Sequence, residues 1–182
     1  MSCASFAGLV DYWFGDLAPG EEAAFEEHLF GCERCTERLA ELAQLGAGVR
    51  AAFRGGAVRA VLPRAFVEAL KAQGLKLREY RVAAGASVTC TIGAGDDFVI
   101  GRLQAPLAGV ERVDLVVVGE AGEVQATFED IPFDPQAGEV LLCPSPAALR
   151  RRPPHTDRFR LVALGEGGGR ALGEYTFVHT PA

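Results

Sequence analysis

The sequence predicts an α+β protein in two domains, a small all-α N-terminal domain followed by an antiparallel β-sandwich, jelly-roll-like C-terminal domain. Three observations predict it. The first 50 residues carry acidic, helix-forming segments bounded by glycine. From about Leu77 the texture changes to short β-rich runs. Gly, Pro and Asp separate those runs, with no helical pattern between most of them.

Taken in chain order, Glu21 to Phe30 reads as a helix, because its front-loaded carboxylates favour the positive end of a helix dipole. Pro19 fits its first turn, where a missing N–H costs nothing, and Gly31 is its expected stop. Ala18 stands where a Ser or Thr N-cap would be better by about 1 kcal/mol. A second helix is expected from about Glu33 to Leu45, with Leu39, Leu42 and Leu45 on one face and Gly46 and Gly48 ending it. These elements make residues 1–50 the helical domain.

Residues 51–76 read as a link that contains an amphipathic helix. Pro63 opens the run Arg64 to Gln73, Phe66, Val67 and Leu70 share one side, and Gly74 is the C-cap. So short a helix cannot bury its face alone. Residues 77–182 then supply eight strand candidates: Leu77–Ala83, Ala86–Ile92, Phe98–Leu103, Val110–Val118, Val124–Ile131, Glu139–Cys143, Arg158–Leu164 and Arg170–Val178. Turns are expected at 93–97, 119–122, 132–138 and 165–169.

Composition narrows the function. The net charge of −6 sits in residues 1–50, which hold nine acids and three bases, while the remainder balances at fifteen of each. Direct nucleic-acid binding needs a basic face and is not expected of this segment; an acidic surface suits a basic protein partner, or simply a solvated helical face. The best apolar run, Val113 to Val118, is short and broken by Asp114, so no membrane span is expected. Acids from Asp11 onward stand where a signal peptide would be apolar, which points to the cytoplasm. Cysteines in a reducing compartment are not a disulfide framework, and three of the five (Cys3, Cys32 and Cys35) lie in the first 35 residues.

The chemistry concentrates in His28-Leu-Phe-Gly-Cys32-Glu-Arg-Cys35, an H-x3-C-x2-C array. A two-residue gap lets both sulfurs reach one ion, and the N-terminus of the following helix favours thiolates. Neutral imidazole and thiolate are the donors Zn²⁺ prefers. Cys3 is the candidate fourth ligand, as no other Cys or His precedes residue 90. A thiol switch without metal is the other chemical reading of these cysteines.

At this point the segment resembles the zinc-binding domain of bacterial anti-sigma factors, a zinc-finger family. The resemblance rests on Cys3, on Tyr12, Gly15 and Leu17 of a Tyr-x-x-Gly-x-Leu segment, on the acidic helix Glu21 to Glu27, and on His28, Cys32 and Cys35. It covers roughly residues 1–45. It implies one structural Zn²⁺ per chain held by Cys3, His28, Cys32 and Cys35, and a partner sigma factor of the extracytoplasmic-function type that is kept from RNA polymerase. It also implies a fourth helix, at 57–73, wrapping the partner with Phe66, Val67 and Leu70 as anchors. Docking of that stripe on the β domain is the equal alternative. Some relatives release zinc on thiol oxidation, so redox sensing is a further expectation. The competing reading is a zinc-scaffolded interaction or dimerisation module, a homodimer included, with a non-sigma partner.

Some soluble members of that kind carry a metal-binding cupin barrel, but the H-x-H pair this needs does not occur in residues 75–182. His155 and His179 are expected as separate surface residues. Cys90 and Cys143 are expected as small buried hydrophobes, with a sensing pair as the alternative. Arg150–Arg152 reads as a solvated loop or an anion grip. No Ser–His–Asp, paired-carboxylate or phosphate-loop arrangement stands out, so the chain is not expected to be an enzyme. The β domain is expected to sense a signal or set oligomeric state.

Overall fold

A computed structural model describes residues 3–56, 59–165 and 168–180. The start of the expected 57–73 helix and the middle of the 165–169 turn lie outside the described residues. The chain forms two compact units, Met1–Ala52 and Phe53–Ala182.

The first unit is helical. Helix α1 spans Phe6–Phe14, α2 spans Pro19–Gly31, and α3 spans Glu33–Gly55, running past the boundary of the unit. Ser5 caps α1 by accepting the Gly8 N–H at 3.1 Å. The helix ends because Gly15 adopts φ 74° and returns its N–H to the Tyr12 carbonyl, while Asp16 bonds back to Asp11 at 2.9 Å. That is the structural reason for the glycine in Tyr-x-x-Gly-x-Leu. Pro19 opens α2 as expected, and Glu21 offsets the missing cap by accepting the Ala18 N–H at 3.3 Å.

Helix α3 corrects the expectation at Gly46 and Gly48, because it continues through both. Trp13 of α1 occupies the place where a Gly46 side chain would stand, and the Arg50 guanidinium lies 6.0 Å from the Trp13 ring. Gly46 is therefore a packing glycine and not a stop. The buried face of α3 follows Cys35, Leu39, Leu42 and Gly46 at a 3.6-residue period, whereas steps of three carry Leu45 out into solvent.

The second unit absorbs the expected link. It consists of β1 (Ala60–Leu62), α4 (Arg64–Ala72), β2 (Leu77–Val82), β3 (Ser87–Cys90), β4 (Phe98–Gln104), β5 (Arg112–Val118), β6 (Val124–Phe128), β7 (Glu139–Cys143), α5 (Pro146–Arg151), β8 (His155–Gly165) and β9 (Gly168–His179). All eight expected strands are present, and β1 and α5 are additional. Two sheets form, in the orders β1-β7-β4-β2 and β3-β9-β8-β5-β6. One core joins them, with Leu103, Val140 and Leu142 from the first sheet against Leu115, Phe159, Leu161 and Tyr175 from the second.

Not every pair is antiparallel. β2 runs parallel to β4 and β3 parallel to β9. The chain leaves β2, turns at Gly85 (φ 76°), adds β3 to the opposite sheet, and then returns beside β2 in the same direction. Tyr80 pins this crossing by donating to the Thr91 carbonyl and accepting the Thr91 N–H at 2.9 Å.

Candidate metal centre

Three sulfurs converge, and a histidine touches one of them. Cys3 lies just before α1, His28 is in the last turn of α2, Cys32 joins α2 to α3, and Cys35 is in the first turn of α3. The Cys3, Cys32 and Cys35 sulfurs all lie within 4.8 Å of one another. Cys3 and Cys32 stand 4.0 Å apart, and His28 Nε2 stands 3.2 Å from the Cys35 sulfur. A tetrahedral ion with metal–sulfur bonds of about 2.3 Å and a metal–nitrogen bond of about 2.0 Å has sulfur–sulfur edges of about 3.8 Å and sulfur–nitrogen edges of about 3.5 Å. The Cys3–Cys32 and His28–Cys35 spacings are of that size, and the three sulfurs cluster as ligands of one ion do, while His28 reaches Cys35 but does not stand within 4.8 Å of all three sulfurs.

The surrounding backbone holds the donors in place. Thr36 Oγ1 donates to the Leu29 carbonyl at 2.9 Å, tying the end of α2 to the start of α3. The segment with Cys3 is tied down twice, by Arg38 donating to the Ala4 carbonyl at 3.1 Å and by the Ala4 N–H donating to the Cys35 sulfur at 3.4 Å. Those bonds counter the fraying expected so near a terminus. The Cys35 N–H and then its side chain hold the Cys32 thiol below its ordinary value, as the start of a helix does for a thiolate. Cys3 goes the other way, raised first by its contact with Cys32. The set thus contains one favoured thiolate and one thiol whose ionisation is opposed by its neighbours, a conflict that a bound cation resolves.

The other residues singled out by sequence fall in the second unit. Val67 is fully buried against Ile100, Leu141 and Cys143, and Leu70 is buried as well. Phe66 alone of that stripe faces solvent, at 50% exposure. The alternative of docking on the β domain is therefore what Val67 and Leu70 adopt, under the chain's own strands. Cys90 and Cys143 are buried free thiols, and burial pushes Cys143 up to about 12. Arg150 and Arg151 lie in α5, and Arg150 donates to the Gly93 and Asp96 carbonyls, which corrects the expected loop.

His155 and His179 are not separate surface residues. The β8–β9 register sets them opposite each other, with ring centroids 5.0 Å apart and His179 only 2% exposed. Burial and then the His155 ring hold His179 below the ordinary histidine value. Twenty-odd residues separate the two in sequence, and only the strand pairing shows that they meet; the alternation His155-x-Asp157 was the local signal.

Residues 9–36 match the family described as "Putative zinc-finger". The N-terminal segment resembles a zinc finger. Its match includes His28, Cys32 and Cys35 and leaves Cys3 just upstream. No curated protein matches the chain. Among solved structures the chain is similar to the N-terminal domain of phage TP901-1 ORF48, at 12% identity and a TM-score of 0.36, over 58% of this chain and 98% of that one. Among the described residues, no helix is long and apolar enough to cross a membrane.

Proposed function

We propose that the chain is an anti-sigma factor that sequesters an extracytoplasmic-function-type sigma factor through its N-terminal unit, scaffolded by one structural Zn²⁺. The carrying observation is the cluster of the Cys3, Cys32 and Cys35 sulfurs, with His28 in contact with Cys35, inside a segment that matches a zinc-finger family. Three sulfurs and an imidazole leave a zinc ion no open position, so the ion organises helices and activates no water. The β unit acts as sensor or oligomerisation module, the chain has no catalytic role, and its compartment is the cytoplasm.

The surface of the first unit supports a protein partner. Of seven large apolar side chains that stand exposed among the described residues, five (Phe6, Phe14, Phe30, Leu45 and Val49) belong to this small unit. Its nine acids against three bases over residues 1–50 add a negative field. Exposed apolar side chains on an acidic unit suit a basic protein with apolar anchors, and sigma factors are basic where they face DNA and polymerase.

The test is a binding titration of the purified, metal-loaded chain against the sigma factor encoded beside it, followed by transcription from that sigma factor's promoter. The expected result is a stable complex and loss of transcription, both abolished by Cys35→Ser. Undiminished transcription at saturating protein would remove the sigma assignment and leave the zinc-scaffolded module with another partner.

A further inference from the structure

One end of the sandwich holds a second group of potential ligands, unrelated to the N-terminal cysteines. His155 faces His179 across the β8–β9 pair, and Asp157, two residues along β8, lies on the same face as His155. The Asp157 Oδ2 is 3.4 Å from the His155 Nε2. His155 Nδ1 lies 2.8 Å from the Pro153 carbonyl oxygen. A carbonyl only accepts, so Nδ1 carries the proton, and in a neutral ring Nε2 then presents a lone pair. That lone pair and a carboxylate oxygen face each other with no donor between them.

His179 shows the same deficit. Its Nε2 is buried and has no partner, and it and the His155 Nε2 are the two buried side-chain nitrogen or oxygen atoms without a hydrogen bond among the described residues. Both belong to one pair of rings. Buried polar atoms are satisfied as a rule, so two adjacent unpaired ring nitrogens mark a place suited to a polar ligand.

We infer that His155 Nε2, His179 Nε2 and the Asp157 carboxylate form a second metal site, for a divalent transition-metal ion. One cation accepts the His155 and Asp157 lone pairs and, in the tautomer with the proton on Nδ1 beside Cys90, that of His179, and imidazole with carboxylate is a donor set for Zn²⁺, Fe²⁺, Co²⁺ or Ni²⁺. The outer partners of such a site are in place. Pro153 fixes the His155 tautomer, and Arg59 holds the other Asp157 oxygen at 3.1 Å. Arg152, with a side chain 42% exposed and 3.5 Å from Oδ2, is the cation that an ion displaces. The three donors do not all stand within 4.8 Å of one another, so binding one ion requires rotation of the side chains about the strands. Two imidazoles and a carboxylate leave coordination positions open, unlike the closed cysteine site. A cavity of about 30 Å³ lined in part by His179, Asp157, Arg59 and Cys90 adjoins the ligands and has room for a water or an equally small ligand on the ion.

The experiment is metal stoichiometry of the untagged full chain after reconstitution with Zn²⁺ and, separately, Co²⁺. Wild type is expected to hold about two ions per chain, and His155→Gln and Asp157→Asn about one each. Cys35→Ser also retains about one, so failure of the cysteine site is read independently. The Co²⁺ spectra separate the two: thiolate charge-transfer absorption persists in His155→Gln and disappears in Cys35→Ser, where the weaker bands of a nitrogen- and oxygen-ligated ion remain. Wild type holding a single ion that Cys35→Ser abolishes would overturn the second site. A stoichiometry that neither His155→Gln nor Asp157→Asn changes would overturn it as well, with thermal melting used to establish that each variant is folded.

Discussion

Trp13 packs onto Gly46, filling the space that any larger residue at that position would need. The contact joins α1 to the middle of α3, and it explains why a long helix retains a glycine that costs about 0.5–1 kcal/mol against alanine. Gly46→Ala should therefore lose about 1–3 kcal/mol through overpacking against the ring, despite the better helix propensity. Gly48→Ala is the matched control, because a Cβ there meets nothing within 4 Å, and it should gain up to about 1 kcal/mol. Denaturant titrations followed by Trp13 fluorescence report both. A stabilised Gly46→Ala would refute the packing role.

The charge cluster beneath α4 gives a second outcome. Arg102, with a side chain 5% exposed, bonds Glu79 at 2.5 Å and Glu139 at 2.6 Å, and Lys71 reaches Glu79 at 2.7 Å. Arg102→Met removes the cation and leaves two carboxylates facing each other, a loss of about 3–5 kcal/mol near neutral pH. Desolvation works to raise Glu79, but its bonds to Lys71 and Arg102 outweigh it and hold the carboxyl below its ordinary value. A depressed carboxylate stabilises the fold above its unfolded-state value and stops doing so as pH falls through its folded-state value. Wild type should lose this stabilisation below the ordinary glutamate range. The deficit of the variant should narrow as pH falls towards and through the ordinary glutamate range, since protonation removes the uncompensated charges. Urea midpoints measured from pH 7 down to about pH 3 test this, and a deficit that stays constant with pH would contradict it.

What could be read in advance follows from what each signal encodes. The strands were legible because alternation and turn residues are local properties, and Glu139–Cys143 has the expected bounds. The cysteine site was legible because His28, Cys32 and Cys35 are held together by a helix end and a turn, geometry that spacing alone specifies. The parallel pairing of β2 with β4 was not, since direction depends on which sheet the intervening β3 joins. Nor was β1, whose three residues are too few to show a period. Gly46 was misread for a related reason: a glycine that stops a helix and one that admits a tryptophan look alike until the neighbouring helix is in place.

Metal removal should unfold the first unit only. The first unit buries few large apolar side chains, Leu9, Cys35 and Leu42 among the described residues, too small a core to stand without a cross-link. A strong chelator should abolish its helical ellipticity and expose Cys3, Cys32 and Cys35 to a thiol reagent. The second unit should keep its cooperative transition, with Cys90 and Cys143 unreactive until it unfolds; Cys143, whose thiol lies at about 12, has almost no thiolate to offer. Stripped protein with full helicity would mean that the cysteines do not support the fold through a metal.

Phe30 separates stability from recognition. It sits near the end of α2 beside the cysteine site and is 93% exposed, so the fold gains almost nothing from it. Glu26, Glu33 and Glu37 line the same concave surface together with Tyr12, Leu29 and Phe30. Phe30→Ser should leave the melting transition within about 0.5 kcal/mol of wild type. An aromatic anchor covered by a partner contributes about 2 kcal/mol or more, so the same change should weaken binding to the proposed sigma-factor partner by about 30-fold. Val124→Ser, an exposed apolar site on edge strand β6, is the control and should leave affinity unchanged. Fluorescence anisotropy with labelled sigma factor gives both constants. Equal affinities for the two variants would place the partner's footprint away from the end of α2, while a Phe30→Ser defect accompanied by a lowered melting temperature would make the side chain structural.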